Sequence, residues 1–440
     1  MLSLKKSILL KSKLIYLILS TYILSFFFEH YLKFEYKFAR FSIVEIIFVV
    51  IIFFTLLVFR LDFIRFALKF DKKNIFEAII YLLLILKLIK YSLDFQDYYN
   101  LYELLIWVYM LAIYTVYKFY LSNVKNLIYY LENSFITVSL VISAHIIYSY
   151  FLYKLGHEPN GLWMIRDLTY YPYVGTSPIN FRSIFMDYNQ PAHLVAPGFL
   201  FLLSRFNKKL IISTLIILYF TVFYLLKSKF FLIFFSILGV YLIIKKLNLL
   251  NKKLIKVFLT LSIITLSVFY FIVTHYILVE KSTINSSNLN LFEHYYFTDF
   301  VINMKEHDIY GSLFLKLKYT AIELAKNYNY IFFESSNYFN HDIVLKNFNS
   351  YTDPHSDYFG ALANYGIIGF LIFLVLPIYI IFEYLKNFNK KKEYNNSLIY
   401  FLIIVMIFIE AIIVDFFHTQ FIWIIFAMHI YSIKTKKDTP

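Results

Sequence analysis

Cysteine does not occur anywhere in the 440 residues, which excludes disulfides, thiolate metal sites and a cysteine nucleophile. Charge is sparse as well: 16% of residues are Asp, Glu, Lys or Arg, against 60% hydrophobic. So few charges cannot cover the surface of a water-soluble domain of this length. Arginine is scarcer still, with six in the chain and none beyond Arg205. No Ser/Gly/Pro-rich linker marks a boundary and no internal repeat recurs, so residues 1–440 are expected to form a single membrane domain. A phosphate-cradling glycine loop is also missing, which argues against an ATP-driven pump.

What the chain does have is apolar runs along its whole length. A helix needs ~20 such residues to cross ~30 Å of hydrocarbon, and in lipid only a helix satisfies its own backbone. The runs predict spans near 14–28, 43–59, 75–92, 100–118, 133–153, 193–204, 210–226, 230–244, 254–276, 364–385, 397–414 and 420–433. The sixth is short and carries Pro197 and Gly198. The expected fold class is therefore all-α, a polytopic transmembrane bundle of about twelve spans. Lys5, Lys6, Lys11 and Lys13 followed by an apolar run resemble a signal peptide, but no small-residue cleavage site follows. That run reads as a retained first span.

The net charge of +14 suggests nucleic acid only until the lysines are located. They fall in short clusters between apolar runs, which is topological information rather than a polyanion-binding face. The N-terminal lysines, Arg60 to Lys73, Arg205 to Lys209, Lys245 to Lys253, Lys386 to Lys392 and Lys434 to Lys437 all fall on one side, while the loops near 94–99 and 415–419 carry no Lys or Arg. The positive-inside rule then puts both termini in the cytoplasm. Two long segments fall outside, 155–192 and 277–363. Within the second, Leu313, Leu317, Ala321 and Leu324 share one helical face, as in a helix lying in the interface plane and capping the bundle.

The most informative stretch is Asp353-Pro354-His355-Ser356, then nine residues, then Gly366-Ile-Ile-Gly369 at the start of an apolar span. This places His355 above the membrane at the mouth of the bundle, with an imidazole able to take a proton near neutral pH. Gly366 and Gly369 would let neighbouring helices approach closely. Taken alone, His355 reads first as a loop residue that caps a helix or bonds a nearby carbonyl; the glycine spacing and the loop position turn the reading to a functional one.

His-Ser, nine residues, Gly-x-x-Gly after a large outer loop resembles the signature of the O-antigen ligase and polymerase family of bacterial membrane glycan transferases. The twelve-span architecture with both ends inside is similar too. The resemblance implies a metal- and cofactor-free, inverting glycosyltransferase. Its donor is a glycan on undecaprenyl diphosphate, and its acceptor is a glycolipid sugar hydroxyl at the outer face of the cytoplasmic membrane. It implies His355 as general base and Arg182 as the diphosphate-binding arginine of the earlier outer loop. Arginine suits a diphosphate because its planar fork forms paired charge-assisted hydrogen bonds; a snorkelling interfacial arginine is the plainer reading. Arg166 is a further candidate, and Asn189 and His193 are candidates for lining the same mouth.

Where many relatives carry Ser-Arg, this chain has Lys227-Ser228-Lys229, so lysines would hold phosphate as point charges. A ligase moving finished glycan to the lipid A core and a polymerase extending a lipid-linked repeat, with a chain-length regulator as a further partner, both fit. A polysaccharide flippase is the reading from another class, although matched halves with broken helices are not evident. No Asp-x-Asp occurs, and Glu293/His294 and His341/Asp342 are adjacent rather than spaced along one helix face, so no metal is expected. Glu45, Lys87, His145 and Glu410 lie inside spans, with Asp415 and His418 at an outer edge. Such residues are costly in lipid, and the sequence shows no partner for any of them.

Overall fold

A computed structural model describes residues 2–28, 33–36, 39–68, 75–93, 98–157, 164–166, 180–183, 189–206, 208–226, 230–246, 252–275, 302–304, 309–311, 313–327, 356–387, 394–412 and 419–434. Thirteen α-helices account for almost all of the regular structure among them. In chain order they are α1 (Leu2–Ser25), α2 (Ile43–Leu68), α3 (Ile75–Leu93), α4 (Tyr98–Asn123), α5 (Leu127–Lys154), α6 (Asn189–Arg205) and α7 (Lys209–Leu226). They continue with α8 (Phe230–Lys246), α9 (Lys252–His275), α10 (Leu313–Asn327), α11 (Asp357–Asn387), α12 (Tyr394–Glu410) and α13 (Gln420–Lys434). Three short antiparallel ladders occupy connections: β1 (Lys33–Tyr36) with β2 (Ala39–Ser42), β3 (Met164–Arg166) with β4 (Asn180–Ser183), and β5 (Ile302–Met304) with β6 (Ile309–Gly311).

Five helices are long and apolar enough to cross a membrane: Ile43–Leu68, Asn100–Asn123, Leu127–Lys154, Lys209–Leu226 and Asp357–Lys386. Shorter apolar helices cover Ser12–Phe28, Phe230–Ile244, Lys256–Ile272, Leu398–Glu410 and Gln420–Ser432. The burial pattern separates centre from rim. Residues 191–201 of α6, 398–411 at α12 and 420–430 of α13 are buried without interruption. By contrast α2 exposes Val49, Val50, Phe53 and Leu57, and α9 exposes Val257, Leu261, Ile264 and Val268. An apolar belt of this kind would be an aggregation liability in water and is ordinary against lipid.

Polar contacts hold the helices in register. Arg205 reaches Glu132 at 3.1 Å and Asn133, and the Tyr400 hydroxyl donates to Glu132 at 2.5 Å. Lys118 pairs with Glu77, which also accepts from Tyr114 at 3.0 Å. Near the opposite helix ends, Tyr22 donates to Gln420 at 2.8 Å and Lys87 pairs with Glu103 at 2.7 Å. Each contact joins segments that the lysine clusters assign to the same side of the bundle.

Two local devices stand out. Arg60 adopts φ +39° and breaks α2 at the end of its apolar run, a costly conformation for a residue with a Cβ. In α6, Gly198 is a point of close approach to α5, because a Cβ there would lie 2.3 Å from the Phe135 carbonyl oxygen and 2.4 Å from the Ser139 Cβ. The same helix continues past Pro197. α10 packs on α9 and α11 with Leu317, Ala321 and Leu324 buried and Glu323 and Lys326 exposed, as its spacing predicts, although Lys318 and Thr320 are buried as well; the side chain of Leu313 lies outside the described residues.

Candidate functional site

The informative block begins, in the described residues, at Ser356. Ser is a favoured N-cap because its hydroxyl can accept from the first-turn amides, and here Ser356 Oγ accepts from the Phe359 amide at 3.4 Å while Asp357 supplies the acidic first turn of α11. The same hydroxyl donates to the carbonyl oxygen of Ala411 at 3.0 Å, and the Asp357 amide donates to it at 3.1 Å. Tyr358 adds a hydrogen bond from its hydroxyl to the Phe408 carbonyl at 3.2 Å. Carbonyls at a helix C-terminus lack intrahelical donors. The start of α11 therefore caps the end of α12, and Ser356, Asp357 and Tyr358 are buried there.

Nine residues later α11 breaks. Gly366 has φ +64° and ψ −165°, a region essentially reserved for glycine. Three residues on, a Cβ at Gly369 would lie 2.3 Å from the Tyr365 Cβ and 3.1 Å from the Ala361 carbonyl oxygen. The sequence suggested that these glycines bring neighbouring helices together. At Gly366 the helix turns, and at Gly369 it folds closely on its own preceding turn, because the atoms nearest an added Cβ belong to residues 361 and 365. Next to the break, Lys87 donates to the Tyr365 hydroxyl at 2.9 Å, and Lys90 reaches the Asn364 carbonyl at 3.2 Å and its side-chain oxygen at 3.3 Å. Both ammonium groups also sit over the Tyr365 ring.

His193, one of the candidates for the mouth, is buried near the start of α6. Its Nε2 lies 3.5 Å from Glu410 Oε1, an ion-pair distance rather than a hydrogen bond. Glu410 Oε2 accepts from the Tyr270 hydroxyl at 2.5 Å, and the His193 ring meets Phe230 edge-on with centroids 4.6 Å apart. Helices α6, α9 and α12 thus meet at one carboxylate, one residue before the carbonyl that holds Ser356.

Pro354, His355, Lys227 and Lys229 lie outside the described residues. For Arg166, Arg182 and Asn189 the backbone alone is described. Arg166 pairs with Asn180 across the β3–β4 ladder, Arg182 lies on β4, and Asn189 is the first residue of α6. Strand β4 runs against α5 and α7, and α7 ends at Leu226, directly before Lys227-Ser228-Lys229 in the sequence. Sequence reasoning noted Lys87 and Glu410 as costly charges without partners. Lys87 pairs with Glu103, 16 residues on, and with Tyr365, 278 residues on, while Glu410 meets Tyr270 and His193, 140 and 217 residues before it; no helical or strand period encodes pairings at these separations. Among the described residues no three His, Asp or Glu side chains cluster as metal ligands. Compared with protein-family models, curated proteins and solved structures, the chain matches none.

Proposed function

We propose that this chain transfers a glycan from undecaprenyl diphosphate to a sugar hydroxyl at the outer face of a bacterial cytoplasmic membrane, as an O-antigen ligase acting on the lipid A core. The observation that carries the reading is His355-Ser356, nine residues, Gly366-x-x-Gly369, with Ser356 buried on the end of α12 and the helix turning at Gly366. A histidine directly before so constrained a residue suits a base that must be held in place. The twelve-span reading, with both termini cytoplasmic, takes the five long and five shorter apolar helices together with α3 and α6. α6 fits as an inner helix, since 191–201 is buried, and α3 as a rim helix that buries Lys87 and Lys90 on one face and exposes Leu82, Ile85 and Leu88 on the other.

In this mechanism the acceptor oxygen bonds to the anomeric carbon as the bond to the diphosphate oxygen breaks. His355 takes the acceptor's proton, and undecaprenyl diphosphate leaves with the bonding pair. Arg182, with Lys227 and Lys229, neutralises the charge on the leaving group, while Arg166 and Asn189 line the substrate mouth; His193, a further candidate for that mouth in the sequence, is buried against Glu410 and supports the site from within the bundle. One displacement inverts the anomeric centre.

The lead-in Asn189-Gln190-Pro191-Ala192-His193 favours a second reading, a polymerase adding to a lipid-linked repeat. Lipopolysaccharide from a deletion strain separates the two. A ligase deletion accumulates long chains on the carrier lipid, and a polymerase deletion leaves core plus one repeat. Complementation with His355→Ala should restore neither product, because loss of a positioned base costs ~10²–10⁴ in rate. Wild-type lipopolysaccharide from that variant would remove the catalytic assignment.

A further inference from the structure

We infer that Glu410 is a positioning residue for this transfer, acting through the Ala411 carbonyl on the segment that begins at Ser356; the inference rests on the reaction proposed above. Glu410 is 1% exposed and is the last residue of α12. A carboxylate so placed is costly unless it is partnered, and its two oxygens are divided between two helices, Oε2 to Tyr270 of α9 and Oε1 to His193 of α6. These contacts pin the final turn of α12 against two neighbours. The next residue, Ala411, donates the last helical hydrogen bond to Ile407 at 2.9 Å and turns its own carbonyl to Ser356 Oγ and the Asp357 amide.

The order of events along the chain gives the inference its content. The carboxylate fixes the turn, the turn fixes one carbonyl, and that carbonyl receives two donors from the residues directly after His355. Misplacing a reacting group by ~1 Å can cost ~10²-fold in rate even when the altered residue is remote from the chemistry. Glu410→Gln keeps the shape and an acceptor for Tyr270 but loses the charge facing His193. Its effect should appear in kcat rather than KM, since Glu410 does not itself contact substrate.

The test uses the full chain in detergent or membrane vesicles, with carrier-linked glycan extracted from the deletion strain as donor. Glu410→Gln is expected to lower kcat ~10–100-fold with KM changed by less than about twofold, an intermediate case of the geometric penalty above. Ser356→Ala should do the same. Because both act on one contact, the double variant should be no slower than the slower single one. Tyr270→Phe, which removes only a hydroxyl, serves as a milder probe should Glu410→Gln fail to fold, and a several-fold fall in kcat at unchanged KM is expected from it.

A folded Glu410→Gln protein with wild-type kcat overturns the inference, as do multiplicative effects of Glu410→Gln and Ser356→Ala. Those results with His355→Ala inactive would leave the proposed reaction standing. Full activity of His355→Ala removes the reaction and the inference together.

Discussion

Lys87 of α3 donates to the hydroxyl of Tyr365, 278 residues away, at 2.9 Å, and so ties a buried charge to the residue before the break in α11. Lys87 also pairs with Glu103 at 2.7 Å and lies 5.1 Å from the centroid of the Trp107 ring. Lysine, glutamate and tyrosine form one network, with Lys87 and Tyr365 buried and Glu103 partly exposed. Lys87→Met should therefore lower thermal stability in detergent clearly more than Glu103→Gln does, because it strips two groups of their donor at once. The Lys87→Met/Glu103→Gln pair should show ~0.5–3 kcal/mol of coupling in a double-mutant cycle. Additive losses would mean that the two side chains do not interact.

The break itself is predicted to need glycine. Gly366→Ala forces a Cβ into φ +64°, ψ −165°, at a cost of ~1–3 kcal/mol, and glycan transfer should fall with it. Gly239 is the control. It lies inside α8 with nothing within 4 Å of an added Cβ, so Gly239→Ala should be neutral or stabilise by up to about 1 kcal/mol. Thermal unfolding of the two variants side by side makes the comparison, and equal shifts would contradict the assigned backbone geometry.

Gly198 supports a different prediction, one of space rather than of dihedral angle. A methyl group there meets the Phe135 carbonyl and the Ser139 Cβ far inside contact distance, and backbone cannot yield as a flexible side chain does. Gly198→Ala should destabilise by ~1–3 kcal/mol. It should also weaken the hydrogen bond from Ser139 Oγ to the Val195 carbonyl, 2.8 Å long, which joins the same two helices. Retention of wild-type stability would show that α5 and α6 separate more easily than their packing implies.

Orientation can be read directly because the chain has no cysteine. His157 and Lys208 are both exposed, at helix ends that the lysine clusters assign to opposite sides. A membrane-impermeant maleimide should label His157→Cys in intact spheroplasts. Lys208→Cys should react only after permeabilisation. The reverse pattern would invert the proposed topology.

Much of the bundle was legible because its determinants are local. The predicted span 43–59 stops where α2 breaks at Arg60, and the spacing of Leu317, Ala321 and Leu324 identified the buried face of α10. Length, hydropathy and helical period are properties of a segment and need no knowledge of its neighbours. The site was legible only in part. Ser356 stood out through its motif, but its role as a cap bonded to Ala411 did not, and the turn at Gly366 and the contact of Gly369 with residues 361 and 365 were not legible in the Gly-x-x-Gly spacing. Spacing reveals that a residue is unusual without saying which atoms crowd it.

The amino-acid sequence by itself determined that this is a helical protein with an apolar exterior, and which of its segments are helices, since these follow from the free energy of exposing backbone and charge to hydrocarbon. Tertiary structure alone decided which helices lie at the centre, that His193, Tyr270 and Glu410 converge, and that Lys87 reaches Tyr365. Those pairings arise when segments hundreds of residues apart pack together. Buried charges must find partners wherever packing brings one within reach, and no periodicity along the chain records where that is.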